Sequence, residues 1–389
     1  MGGALTATGG GTFNQGVNDT NVTLDGFTSG AFTISTGTTW NSGWNSTTYV
    51  NGSLINNGTI ALTAGNAGYS SYLDLNGSTT LSGGGTVTLS SADGTGTVYI
   101  QQTGGSATLT NADNTIQGYG TIGNGTLTLV NQGTINANSS GKTLVLNGGG
   151  GVTNTGTLEA TGGGILNILN TTVNDVGNSI QANGGAVQIQ GSTIVGGALT
   201  ATGGGTFNQG VNNTNVTFNP GSAPSTFTIS TGTTWNNGWN STTSVIGSLI
   251  NNGTIALTSG NGGYNSYLDV LGNTTLSGGG TVTLSSSDNS GTVYIQQVGG
   301  NWTLTNADNT IQGYGIIGNG TLTLVNQGTI NANSSGKTLL LNGGGGVTNT
   351  GTLEATGSSR TRRSTTAATA SRQMAVPCRS KAPPSWAEP

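Results

Sequence analysis

The chain has 389 residues, of which 73 are glycine, 5% are charged and none is histidine. Residues 1–357 hold two lysines (Lys142, Lys337), no arginine and eleven carboxylates, a net −9, which excludes a nucleic-acid partner for this region because nothing in it can neutralise a row of phosphates. Leu, Ile and Val recur every few residues, which excludes a disordered chain, and the missing histidines remove the commonest acid–base and metal-ligating side chain.

Taken in chain order, the first element is GGALTATGGGTFNQGVN at residues 2–18, which returns at 196–212. Next come TTWNSGWNSTT at 38–48, returning as TTWNNGWNSTT at 233–243, and IGNGTLTLVNQGTINANSSGKTL at 122–144, returning at 317–339. Positions 122 and 317 differ by 195, so one large unit is present nearly twice. We divide the chain into a first repeat, 1–195, a truncated second repeat, 196–357, and a basic tail, 358–389.

Within each repeat runs a shorter beat. NNGTIALT (56–63), NQGTINAN (131–138), NTGTLEAT (154–161) and DVGNSIQAN (175–183) share an Asn or Asp, a Gly and an aliphatic, and the glycines Gly133, Gly156 and Gly177 lie 23 and 21 residues apart. Short alternating runs bounded by Gly, Asn and Ser predict strands joined by tight turns, and no segment has a capped helical period. A beat of roughly 20–25 residues predicts stacked coils, each burying the apolar face that one coil cannot bury alone, so the expected fold is an all-β, right-handed parallel β-solenoid. Asn at equal positions in successive coils predicts internal amide ladders.

The aromatic residues are the best candidates for ligand contact. Trp40, Trp44, Trp235 and Trp239 sit among Asn, Ser and Thr, and Tyr69 and Tyr72 return as Tyr264 and Tyr267. Indole and phenol faces amid amides and hydroxyls suit sugar rings; the competing reading is that the tryptophans plug a wider coil. Asp74, Asp93 and Asp113 return as Asp269, Asp288 and Asp308. They could form a calcium or catalytic set, but SSADGTG and NADNT read as Asx turns, and there is no His or Arg in the body to partner them. The pattern therefore favours turn chemistry, a non-enzymatic protein, and no metal or cofactor. MGGALT fits an N-myristoylation pattern, but GGALT also occurs inside the chain at 196–200, which argues against lipidation.

NTIQGYGTIGNGTLTLVNQGTINAN (114–138) resembles the repeats of bacterial autotransporter passengers and related large β-strand-repeat surface proteins. The resemblance covers most of residues 1–357 and implies an extracellular or cell-surface, adhesive, right-handed β-helix exported by type V secretion. It further implies an outer-membrane translocator in the full-length protein and partners among surface glycans or host-matrix components; separately, a truncated solenoid with unpaired strand edges is expected to self-associate through its ends. The body's lack of Cys fits export in an unfolded state, since no disulfide can lock the chain early.

The tail SSRTRRSTTAATASRQMAVPCRSKAPPSWAEP holds five Arg, Lys381 and the single Cys378. Permitted codons for Gly177–Ala198, translated one base late, reproduce Ala368–Pro389 residue for residue. The tail is therefore expected to be an out-of-frame, disordered product of the next stretch of repeat. Met1 occupies the position of Val195, where a GTG codon fits, so the chain is expected to be an interior fragment of a longer repeat protein.

Overall fold

A computed structural model describes residues 3–26 and 30–357, together with the backbone of one short strand, Met374–Val376. Every regular element is a β-strand, and among the described residues there is no helix. The chain divides into two compact units, Met1–Asn208 with Gly221–Ser225, and Gln209–Pro220 with Thr226–Pro389.

In the first unit each coil contributes one strand to each of three parallel sheets. The coil Leu54–Asn56, Thr59–Ala64 and Ser71–Leu75 is followed by Thr79–Ser82, Thr86–Ser91 and Val98–Gln102, and like strands pair in register. Alternation along each strand aims every second side chain inward. In the second sheet the inward column runs Phe13, Trp40, Ile60, Val87, Ile116, Ile135, Leu158, Ile180 and Leu199, while its outward neighbours Thr39, Thr59, Thr86, Thr115, Thr134 and Thr157 stack as a column of threonines. Those threonines recur after 20, 27, 29, 19 and 23 residues, a wider range than the beat predicts. The extra residues sit in corner loops, notably 65–70 and 92–97.

The N-x-G phrase marks the corner between the first and second sheets. It places Asn131 and Asn154 inside, and NADNT places Asn111 at the same corner; Asn111 Nδ2 donates to Asn131 Oδ1 (2.9 Å), Asn131 Nδ2 to Asn154 Oδ1 (2.8 Å), and Asn154 Nδ2 to Asp175 Oδ1 (2.7 Å). All four side chains are buried, and the ladder supplies the partners that buried polar groups require. The coil with LSGGGT lacks an inward Asn, and there Asn56 Nδ2 reaches Asn114 Oδ1 directly (2.9 Å). A Cβ at Gly85 would lie 2.7 Å from Asn56 Nδ2, so glycine is what leaves room for that reach. Gly118 is needed for another reason: its φ is +114° and a Cβ would lie 2.0 Å from Leu89 O.

The second unit repeats this build, from Asn215–Asn219, Phe227–Ile229 and Thr234–Asn237 to Leu339–Leu341, Gly346–Asn349 and Thr352–Glu354. Its ladder runs Asn306 to Asn326 (2.8 Å) and Asn326 to Asn349 (2.7 Å). Met374–Val376 pairs antiparallel with Leu339–Leu341. The rest of the expected disordered tail, with the Arg run and Cys378, lies outside the described residues.

Candidate functional site

Trp40 and Trp235 are 6% and 0% exposed, so neither offers a face to a ligand. Trp40 Nε1 donates to Thr48 Oγ1 (3.1 Å), whose hydroxyl donates to Gln15 Oε1; Gln15 Nε2 in turn donates to the carbonyls of Thr20 and Thr47. Trp235 repeats this with Thr243 (2.9 Å) and Gln209, and it packs edge-on against Phe218, centroids 4.9 Å apart. The expectation of sugar stacking by these two rings is corrected: they plug their coils, and their polar neighbours form an internal network.

Trp44 and Trp239 are the outward members of the same motifs. The Trp44 ring lies 5.7 Å from that of Tyr69, and Trp239 lies 5.6 Å from Tyr264; both tyrosines are 48% exposed. Tyr69 stands at the end of a tight loop closed by Gly65 N to Tyr69 O (2.9 Å) and Tyr69 N to Gly65 O (2.8 Å), with Asn66 and Ala67 at positive φ. On the next coil Asp93 holds that loop, its Oδ2 accepting from Ala67 N (2.9 Å). Its Oδ1 accepts from the Thr95 hydroxyl (2.6 Å), Thr95 N (2.9 Å) and the Ser91 hydroxyl (3.1 Å). These bonds, the Thr95 hydroxyl foremost, hold the Asp93 carboxyl well below the ordinary carboxylate range, and Asp288 does the same with Ser290, Gly262 and Ser286.

Two further corners extend the ridge. Lys142 Nζ donates to Gly94 O (3.2 Å) and lies 5.5 Å from the centroid of Tyr119; Lys337 lies 5.2 Å from that of Tyr314. Trp44, Tyr69, the Asp93 turn, Tyr119 and Lys142 thus occupy five successive corners between the second and third sheets of the first unit, and Trp239, Tyr264, the Asp288 turn, Tyr314 and Lys337 form the corresponding set in the second. Sequence reasoning missed Tyr119, Tyr314 and both lysines as parts of one ridge, because coil lengths vary too much for spacing to align them.

Tyr72 and Tyr267 lie on a sheet face instead. Each stacks on a tyrosine of the next coil, Tyr72 on Tyr99 (5.3 Å, 11°) and Tyr267 on Tyr294 (5.4 Å, 14°), so one face of each ring is already covered. Beside them stand Asp74 and Asp269, both pushed up by burial against the opposing hydrogen bonds of Gln101 and Gln296; Gln296 Nε2 donates to Asp269 Oδ1 (3.0 Å). Asp113 and Asp308 accept from the backbone of Gly84 (2.9 Å) and Gly279 (3.0 Å) at a different corner. Stacking therefore leaves Asp74, Asp93 and Asp113 on three different parts of the coil, the latter two engaged in turns. Among the described residues no group of three or more His, Cys, Asp or Glu could hold a metal ion. No protein-family model, curated protein or solved structure matches the chain.

Proposed function

We propose that the protein is a non-enzymatic structural and adhesive rod, part of a larger repetitive surface protein of the autotransporter-passenger type, and that it contacts its partners through the aromatic ridge. The observation that carries this reading is the ridge itself, built twice with nearly the same geometry, 5.7 Å between Trp44 and Tyr69 and 5.6 Å between Trp239 and Tyr264. Half-exposed aromatic rings beside backbone amides and a lysine suit surface glycans or host-matrix components, stacking on apolar faces while polar groups bond hydroxyls. Two copies on one chain raise avidity without any new contact. A cell-surface location rests on the sequence resemblance and on the Cys-free body, and the same resemblance supports an outer-membrane translocator in the full-length protein. Self-association through exposed strand edges at the solenoid ends belongs to the same proposal.

The test compares wild type with a variant carrying Trp44→Ala, Tyr69→Ala, Trp239→Ala and Tyr264→Ala on arrays of glycans and matrix proteins. Wild type should bind a restricted set of spots and the variant should lose them. Equal binding by the two proteins, or none by wild type, would sink the reading. Incubation with a polysaccharide panel should release no reducing ends; release abolished by Asp113→Asn with Asp308→Asn would favour a polysaccharide-cleaving enzyme instead.

A further inference from the structure

The two repeats are so similar that their differences can be located. At one corner of the first unit Asn76 Nδ2 donates to Asn51 Oδ1 (3.0 Å) and the Thr103 hydroxyl donates to Asn76 Oδ1 (2.7 Å), a polar ladder on the surface. The same positions of the second repeat are Ile246, Leu271 and Val298, and beside them Ser106 and Ala107 have become Asn301 and Trp302. Successive coils stack these residues, since Ile246 N bonds to Phe218 O, Leu271 N to Val245 O and Val298 N to Val270 O. A self-satisfied polar ladder has been replaced by an apolar column whose last member, Val298, is 41% exposed.

Trp302 is seated in a defined way. Its Nε1 donates to Val298 O (3.0 Å), and a Cβ at Gly300 would lie 2.7 Å from its ring, so the indole lies across the turn where only glycine fits. At the matching Gly105 of the first repeat a Cβ would meet nothing within 4 Å. The Trp302 carbonyl accepts from Thr323 N (3.1 Å), and Thr323 and Asn301 both line an open surface cleft of about 390 Å³. Thr321, Gly320, Gly344 and Gly345 complete its wall. Glycine is required there too, since a Cβ at Gly344 would lie 1.7 Å from Gly320 O. Thr321 is held from behind: Gln297 Nε2 donates to its hydroxyl, which donates to Asn319 Oδ1 (3.1 Å), while Asn319 Nδ2 donates to Gln297 O (2.8 Å). Gln297 is 8% exposed and its Oε1 has no protein partner.

We propose that this corner of the second unit is a saccharide site for an acetamido sugar within a neutral glycan. No lining residue is ionisable, which points to an uncharged ligand. Hydroxyl, amide and backbone walls suit a polyol, and the volume is at the lower end of the range of small-molecule pockets. The Trp302 indole and the Ile246, Leu271 and Val298 column stand outside the cleft wall, at the same corner of the same and preceding coils, where a glycan extending beyond the cleft would lay an acetamido methyl and the C–H face of a pyranose. None of these residues belongs to the ridge, so the two sites can be tested separately.

The full chain is titrated calorimetrically with chitotetraose and with cellotetraose, which lacks the acetamido groups. Wild type should bind chitotetraose at one site per chain and more tightly than cellotetraose. Asn301→Ser with Trp302→Ala, which installs the residues that the first repeat already accommodates, should weaken binding roughly tenfold or more. Asn51→Ile, Asn76→Leu, Thr103→Val, Ser106→Asn and Ala107→Trp together should raise the stoichiometry to two. The fourfold ridge variant should bind chitotetraose as wild type does. The proposal is overturned if wild type binds neither sugar up to about 10 mM, beyond the weak end of useful affinity. Unchanged binding by the Asn301/Trp302 variant overturns it as well, as does loss of binding in the ridge variant alone. Equal affinity for cellotetraose would overturn the acetamido assignment.

Discussion

Asp175 terminates the amide ladder of the first unit, and replacing it with asparagine should stabilise the protein in a pH-dependent way. The carboxylate is fully buried; Oδ1 accepts from Asn154, and Oδ2 has no protein partner. Burial pushes this carboxyl up to about 7, with only the Asn154 hydrogen bond opposing it. The folded state therefore holds the proton more tightly than the unfolded chain, whose Asp titrates near 4. The stability contributed by the protonated form is fully present below about pH 4 and declines as pH rises towards 7, and the loss is constant above that. About three pH units at roughly 1.4 kcal/mol each make the loss about 4 kcal/mol at pH 8 and about 0.5 kcal/mol or less at pH 4. Asp175→Asn keeps the shape and removes the titration, exchanging one unpaired polar atom for another. Thermal unfolding followed by circular dichroism should give nearly equal midpoints for wild type and variant at pH 4, and a variant midpoint roughly 8–16 °C higher at pH 8. A midpoint difference that does not change with pH, or a variant less stable at pH 8, would refute the reasoning.

Two other substitutions probe the interior. Asn131→Leu strips Asn154 Oδ1 and the Thr157 carbonyl of a donor and Asn111 Nδ2 of an acceptor, so it should cost about 3–5 kcal/mol in urea unfolding despite the apolar gain; a cost under about 1 kcal/mol would mean that the ladder is dispensable. Trp235→Ala leaves a cavity against Phe218 and removes one of the two hydrogen bonds of the Thr243 hydroxyl, which keeps Gln209 Oε1, and should cost about 3–5 kcal/mol; the emission component shielded from aqueous quenchers should shrink in the variant to the part that Trp40 supplies.

The all-β coil and its ladder were legible because the phrase N-x-G-T performs one physical task at each corner where it occurs. The asparagine turns inward to bridge coils, the glycine passes close to the previous coil, and the threonine begins the next strand facing outward. Asp93 and Asp113 were legible as turn residues for a similar reason, since SSADGTG and NADNT satisfy their carboxylates within a few residues or on the adjacent loop. Trp40 and Trp235 were harder to place, because the Asn, Ser and Thr around them, which read as surface, include Thr48 and Thr243 buried against Gln15 and Gln209. The Tyr72–Tyr99 stack and the Tyr119–Lys142 contact were hidden by register. Coils of 19 to 29 residues carry no fixed spacing, so no periodic count brings these side chains together before the strand pairing is known. Trp302 carried one usable signal, a tryptophan where the other repeat has alanine, but the cleft beside it, lined by Asn301, needs two more coils to exist.

The most direct test of the coil architecture, on which every site described above depends, is excimer fluorescence from pyrene pairs. With Cys378 replaced by serine, cysteines at Thr88 and Gln117 place labels on directly paired outward positions, although 29 residues separate them in sequence. Thr88 with Glu159 lies three strands apart along the same column, about 14 Å at the usual strand spacing. The in-register solenoid predicts a strong excimer band for the first pair that disappears on unfolding and a much weaker one for the second. Monomer emission alone from the first pair, or equal excimer from both, would contradict it.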